Sequence, residues 1–302
     1  GSDFRSGSVV SSFDAKDKVG PIGVGAPRYI GADVPIPYVI YFENLSTATA
    51  PAQEVVITDQ LDVSKYDLNT FAFGDISIGS MRLSALPSRN VFNRDFDLRP
   101  ANNIIARINA TLDLQTGIIT WRMKAIDPIT GLPPEDPFAG ILPPNTISPR
   151  GEGSVMFRVK ARSDLVTGAE VRNQARIVFD TNLPIDSPAW LNTIDKSSPA
   201  SSVQGIPASQ PPSFTVNWAG TDGGSGVSRY SVYVSDNGGA FSQFLADTTA
   251  TSRVFTGQVG HTYGFYSIAT DAVGNREGPK LTAEATTTVN AAQPAISGRV
   301  FT

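Results

Sequence analysis

Residues 103–127 read NIIARINATLDLQTGIITWRMKAID, and their phase decides the fold. Ile104, Ala106, Ile108, Ala110 and Leu112 alternate with polar neighbours, the period of a strand with one buried face. Asp113 to Gly117 then supplies a turn, with Gly117 free to take positive φ. Ile119, Trp121, Met123 and Ala125 resume the alternation on the way back, while Arg107, Arg122 and Lys124 take the solvent side. The stretch is a β-hairpin with one apolar face.

The same period recurs on both sides. In VPIPYVIYFEN, Ile36, Tyr38, Ile40 and Phe42 share a face. EVVITDQLD (54–62) reads as a strand, and FAFGDISIG and SMRLSAL as further ones. SVMFRVKARSD buries Val155, Phe157, Val159 and Ala161. AEVRNQARIVFD puts Val171, Asn173, Ala175, Ile177 and Phe179 on one side. No helical stripe appears, and 27 Gly and 22 Pro punctuate the chain. Short alternating runs between turn residues predict an all-β protein. A length of 302 residues predicts two antiparallel β-sandwich domains rather than one.

The boundaries follow composition. Residues 1–13 are polar and expected to be loose, and 14–195 form the larger sandwich. The Ser/Pro-rich 196–212 reads as a stiff linker. Residues 213–290 give six or seven short strands, with Trp218 in the core and Asp236-Asn237-Gly238-Gly239 as a hairpin turn. Residues 291–302 begin a new pattern. Between the strands of the first domain, the proline-rich 128–150 forbids regular pairing and predicts a long loop, a place where function often sits.

Totals exclude several chemistries. There is no cysteine, so thiolate zinc sites and cysteine nucleophiles are out. One histidine, His261, rules out a multi-histidine metal site. His261 lies in the tight turn VGHTYG and lacks a GxSxG nucleophile to serve. Glu135 and Asp136 are adjacent and do not face each other across a cleft as glycosidase carboxylates do. The expectation is no enzyme. A net charge of −4 without a basic stripe argues against nucleic acid. No apolar run is long enough to span a bilayer.

WAGTDGGSGVSRYSVYVSDNGGAFSQFL, followed by TYGFYSIATDAVGNREG, resembles fibronectin type III-like and bacterial Ig-like modules of large secreted proteins. The first domain, through YVIYFEN, EVVITDQLD and ARIVFDTNLPIDSPAWLNTID, resembles DUF11-like conserved-repeat domains of bacterial surface proteins, though it is larger than the usual repeat. ISGRVFT resembles the first strand of a B-type adhesin repeat or the lead-in to a dockerin-like segment. The resemblance implies a piece of a larger exported protein at the cell surface or in the extracellular space, and Gly1-Ser2 looks like a cloning remnant. The implied role is a structural spacer whose partners are neighbouring domains of the same polypeptide, and a monomer is expected. The alternative is an adhesive module that contacts a glycan or surface protein through the 128–150 loop.

The turn ATDAVGNRE (269–277) crowds Asp271, Asn275 and Glu277 around Gly274. In a fibronectin-like sandwich the loop after the second strand lies at the same end, which would bring Asp222 of the 221–226 loop to these three. Asp222, Asp271, Asn275 and Glu277 are therefore the expected ligands of a calcium ion, which takes six to eight oxygens at about 2.3–2.6 Å. The plainer reading is turn capping by Asp and Asn, with Arg276 neutralising one carboxylate. A second acidic grouping, Asp14 and Asp17 with Asp180, Asn182 and Asp186, reads more readily as turn chemistry. The resemblance to surface adhesin modules also raises a Lys–Asn isopeptide bond beside a buried acid, which such modules sometimes carry. Lys124, Lys160 and Asn173 lie on strands, but both lysines fall on the outward phase. Trp190 is expected to pack the first domain against the second.

Overall fold

The computed structural model describes residues 16–84, 90–100 and 102–291. The expected loose segment 1–13 lies outside them, as does all but the first residue of 291–302. Every regular element described is a β-strand. The chain divides into two compact units. The first comprises residues 1–22, 32–165 and 169–194; the second comprises 195–302 with the short segments 23–31 and 166–168.

The first unit is a sandwich of two sheets. One runs, in spatial order, Lys16–Val19, Ile36–Glu43, Glu152–Ala161, Tyr66–Ile78 and Met81–Leu83. The other runs Ile185–Asp186, Ala175–Phe179, Glu54–Gln60, Ile118–Ile126, Ile105–Leu112 and Val91–Asp97. All these pairings are antiparallel. The hairpin within residues 103–127 forms as expected, with Leu112 opposite Ile119 and Gly117 at φ 75°. Its apolar phase is the buried one: Ala106, Ile108, Ala110, Ile119, Trp121 and Met123 are fully shielded. Aromatic rings join the two sheets across the core. Trp121 meets Phe73 edge-on at 5.8 Å between centroids and Phe157 at 5.8 Å. Burial of rings this size, each worth about 2–3 kcal/mol, is the main stabilising term.

The AEVRNQARIVFD run keeps the expected inward phase but serves two partners. Glu170–Asn173 pairs with the Trp190–Asp195 strand, whereas Ala175–Phe179 pairs with Glu54–Gln60. Asn173 sits at this break, at 2 % exposure. Trp190 is anchored by its own hydrogen bonds. Its indole donates to Pro21 O at 3.2 Å and Asn192 Oδ1 at 2.9 Å, both within the first unit.

The second unit packs Ala200–Val203, Ser213–Thr221 and Ser252–Thr256 as one sheet. The other sheet is Ser209–Gln210, Ala285–Val289, Thr262–Asp271, Val227–Asp236 and Ser242–Thr248. Trp218, Val216, Val232 and Phe265 fill its core, and Trp218 Nε1 donates to Ala250 O at 2.8 Å. Asn237 and Gly238 both take positive φ, the geometry of a two-residue hairpin turn. The linker reading of 196–212 is corrected. Ala200–Val203 pairs antiparallel with Ser213–Thr221, and Ser209–Gln210 runs parallel to Ala285–Val289. Serine is compatible with a strand, and the prolines at 199, 207, 211 and 212 lie outside both short strands, where no ladder N–H is needed.

Candidate functional site

Two registers build an acidic cluster in the second unit. Val227 lies opposite Asp271, so the 222–226 loop entering one strand meets the turn leaving the other. Ala200 lies opposite Thr221, which carries the residues just before Ala200 alongside the same loop. One carboxylate oxygen each from Asp195, Asp222 and Asp271 consequently lie within 4.8 Å of one another. Asp195 and Asp271 are fully buried and Asp222 is half-buried.

Backbone N–H groups hold all three carboxylates. Asp271 Oδ1 accepts from Val273, Gly274 and Asn275 at 3.1, 2.7 and 2.7 Å. Asp222 Oδ2 accepts from Gly224 and Gly226, each at 2.9 Å. Asp195 Oδ2 accepts from Ser225 N at 2.7 Å, and its Oδ1 from Ser197 N and Oγ. Burial alone would push Asp195 up; the hydrogen bonds from Ser225 and Ser197 outweigh it and hold the carboxyl below its usual range. Gly224 makes the approach possible, because a Cβ there would collide with the Asp195 carboxylate. Two oxygens on opposite sides of one calcium ion are about 5 Å apart, so the spacing fits a hard divalent cation. Without one, each carboxylate pair repels by about 3 kcal/mol at an effective dielectric near 20.

The structure brings together Asp222 and Asp271 of the four expected ligands. Asn275 sits at the margin, its Nδ2 donating to Asp271 Oδ2 at 2.7 Å and to Asp195 O at 3.3 Å. Glu277 is corrected: it belongs to a neighbouring polar cluster. Its carboxylate accepts from Ser201 N, Ser201 Oγ and Ala269 N, and pairs with Lys280 at 2.8 Å. Asp195 was hidden from sequence reasoning, because only the unrecognised Ala200–Val203 strand carries it to the cluster. Of the second acidic grouping, Asp14 lies outside the described residues, and the remaining carboxylates form no metal-sized cluster among the described residues. Asp180 Oδ1 caps Gln53 N and Glu54 N, Asp186 forks with Arg176, and Asp17 accepts from Lys18 N. His261 is a turn residue paired with Asp236 at 2.8 Å.

Two further features belong to the first unit. The 128–150 loop, strandless as expected, borders an open cleft of about 650 Å³ lined in part by Leu132 and Phe138; these two and Ile129, elsewhere on the loop, are mostly exposed. Between the sheets lies a buried polar group: Lys18 Nζ contacts Asp59 Oδ2, and Asn173 flanks Asp59. Lys18 and Asp59 are each 1 % exposed.

Two sandwiches, antiparallel but for the short Ser209–Gln210 pairing, with their polar chemistry in buried clusters and loops define a β-sandwich protein. The chain belongs to the family described as Domain of unknown function (DUF7619), whose model matches residues 23–127 and 137–193. No curated protein matches. Among solved structures, the chain is similar to the C-terminal domain of the Streptococcus agalactiae AgI/II polypeptide BspA (10 % identity, 90 % of this chain and 99 % of that one, TM-score 0.40). It is similar also to the Bacillus cereus major pilin subunit BcpA (10 % identity, 91 % and 69 %, TM-score 0.36). A third is the collagen-binding domain of a Staphylococcus aureus adhesin (10 % identity, 61 % and 99 %, TM-score 0.32). These neighbours are surface adhesin and pilin domains of bacteria, and at such identity the likeness is one of β-sandwich architecture.

Proposed function

We propose that the chain is a non-catalytic structural segment of an exported bacterial surface or extracellular protein, and that calcium clamps its second unit at Asp195, Asp222 and Asp271. One observation carries the cation: three carboxylates from separate chain segments share a space the size of one coordination shell. Extracellular modules bind calcium at about 0.1–1 mM, matching the exported setting that the fibronectin-like residues imply. Isothermal titration of calcium into the full chain tests the clamp. The expected result is one site of that affinity, lost in Asp222→Asn; absence of binding heat and of any calcium effect on the Asp222 loop would remove it.

A second reading rests on the cleft. Ile129 at 89 % and Phe138 at 68 % exposure give the 128–150 loop apolar surface that no core requires. In that reading the loop is an adhesive edge for a glycan or surface protein. Array binding that disappears in Ile129→Ser/Phe138→Ser, with melting unchanged, supports it; equal binding by the variant removes it.

A further inference from the structure

The Lys18–Asp59–Asn173 group is an unusual thing to bury. Lys18 lies on Lys16–Val19, opposite Ile40, and points into the core rather than toward water. Its Nζ sits 4.8 Å from the Tyr38 ring centre and 5.0 Å from that of Phe157, with Asp59 as its hydrogen-bond partner. Asp59 comes from the opposite sheet, flanked by Ile119 and Ala175. Asn173 lies two residues before Ala175, so it projects to the same side as the residue facing Asp59.

An ordinary buried ion pair does not account for the arrangement. Asn173 lies close enough to Asp59 to favour its carboxylate, yet Asp59 Oδ1 and both Nδ2 and Oδ1 of Asn173 lack a well-formed hydrogen bond. Each orphaned atom costs about 1–3 kcal/mol, and a buried ion pair is itself weak evidence for stability. Burial lowers the Lys18 pKa and raises that of Asp59, in each case against their mutual attraction. Both shifts favour the neutral pair, in which Asp59 carries the proton and Nζ a lone pair.

We propose that Lys18 and Asn173 condense into an intramolecular isopeptide bond, with Asp59 as the acid and base that shuttles the protons. The Nζ lone pair attacks Asn173 Cγ, and the carbonyl π electrons move to Oδ1, which takes the Asp59 proton. The Asp59 carboxylate then removes a proton from Nζ and delivers it to Nδ2. The Cγ–Nδ2 bond breaks, ammonia leaves, and the proton on Oδ1 returns to Asp59 as the carbonyl re-forms. No oxidant or cofactor enters. The product is a secondary amide whose N–H and C=O both have Asp59 as a partner, which resolves the orphaned atoms. The aromatic walls exclude the water that would stabilise charged Lys18. Lys124, by contrast, is only half-buried and lies beside Glu54.

The cross-link is independent of the calcium clamp and has a separate readout. Intact mass of the purified full chain is expected to be lower by one ammonia than the sequence gives. Tryptic mapping is expected to show one branched peptide joining the Lys18 and Asn173 segments, with no cleavage after Lys18. Asp59→Ala and Asn173→Ala are each expected to show the mass that the variant's own sequence gives, with no ammonia lost. Folded wild-type chain at full sequence mass after prolonged incubation overturns the proposal. So does ammonia loss without the branched peptide, as a succinimide at Asn237-Gly238 would produce. Neither wild-type outcome depends on whether a variant folds.

Discussion

Removing calcium should loosen the second unit by an amount the cluster geometry sets. Taking a dissociation constant of ~0.1 mM and free calcium of ~2 mM, ligation stabilises the folded unit by about 1.8 kcal/mol. For a unit of roughly 110 residues, that corresponds to a Tm shift of about 7–10 °C. Differential scanning calorimetry of the full chain in calcium and in chelator reads the shift. Hydrogen exchange of the Ser213–Thr221 and Thr262–Asp271 strands assigns the transition to this unit. Magnesium at equal concentration should do less, because it demands near-ideal octahedral geometry and keeps its waters. Asp222→Asn retains an oxygen to accept from Gly224 and Gly226, so the turn survives while the charge goes. Its melting should not respond to calcium. Coincident wild-type transitions in calcium and chelator would refute the reasoning, since they leave no free energy for a bound ion.

Gly224→Ala places a methyl group against the Asp195 carboxylate; calcium affinity should fall at least several-fold, read by titration, with the apo unit still cooperative in melting. Trp121→Ala opens a cavity where the ring is fully buried, at a cost of about 3–5 kcal/mol in urea denaturation. Trp121→Phe should cost much less, because it also removes an indole N–H that has no partner. Burial pushes Glu277 up, but hydrogen bonds from Lys280, Ser201 and Ala269 hold it below the usual range. A depressed carboxylate contributes stability above its unfolded pKa of about 4.3 and loses it as pH falls through the folded value. Glu277→Gln should therefore flatten the acid limb of the stability–pH curve for the second unit.

The alternation of apolar residues made the strands legible because each sandwich buries one face per strand. Ile36 to Phe42, Ile104 to Leu112 and Val155 to Ala161 all kept their phase. What stayed hidden was pairing between segments of weak pattern. Ala200–Val203 contains two serines and little hydrophobic signal, so its place in a sheet rests on tertiary register. That single omission concealed Asp195 and left Glu277 as an apparent ligand. Lys18 was hidden for a related reason. KDKV on its own resembles a solvated run, and only pairing with Ile36–Glu43 turns the second lysine inward. Asn173 showed on the inward phase, but its acid and its lysine come from strands 114 and 155 positions away.

The position of the proposed cross-link makes a mechanical prediction. Lys18 lies on the first described strand of its unit and Asn173 near the end of it. A chain pulled from its two ends would carry tension into Lys18, across the amide and out through Asn173. The roughly 150 residues between them would bear no load, and about 500 Å of extended chain would be withheld. Pulling single full-length molecules between terminal handles measures this directly. The stapled chain should lack that contour gain at any force that leaves covalent bonds intact. Asn173→Ala, which has no carboxamide to attack, should release it. An unlinked sandwich resists only until its hydrogen bonds and core yield, and then lengthens fully. Wild-type molecules that extend by the full contour of the first unit would show that tension runs through the strands, and that Lys18 and Asn173 are not joined.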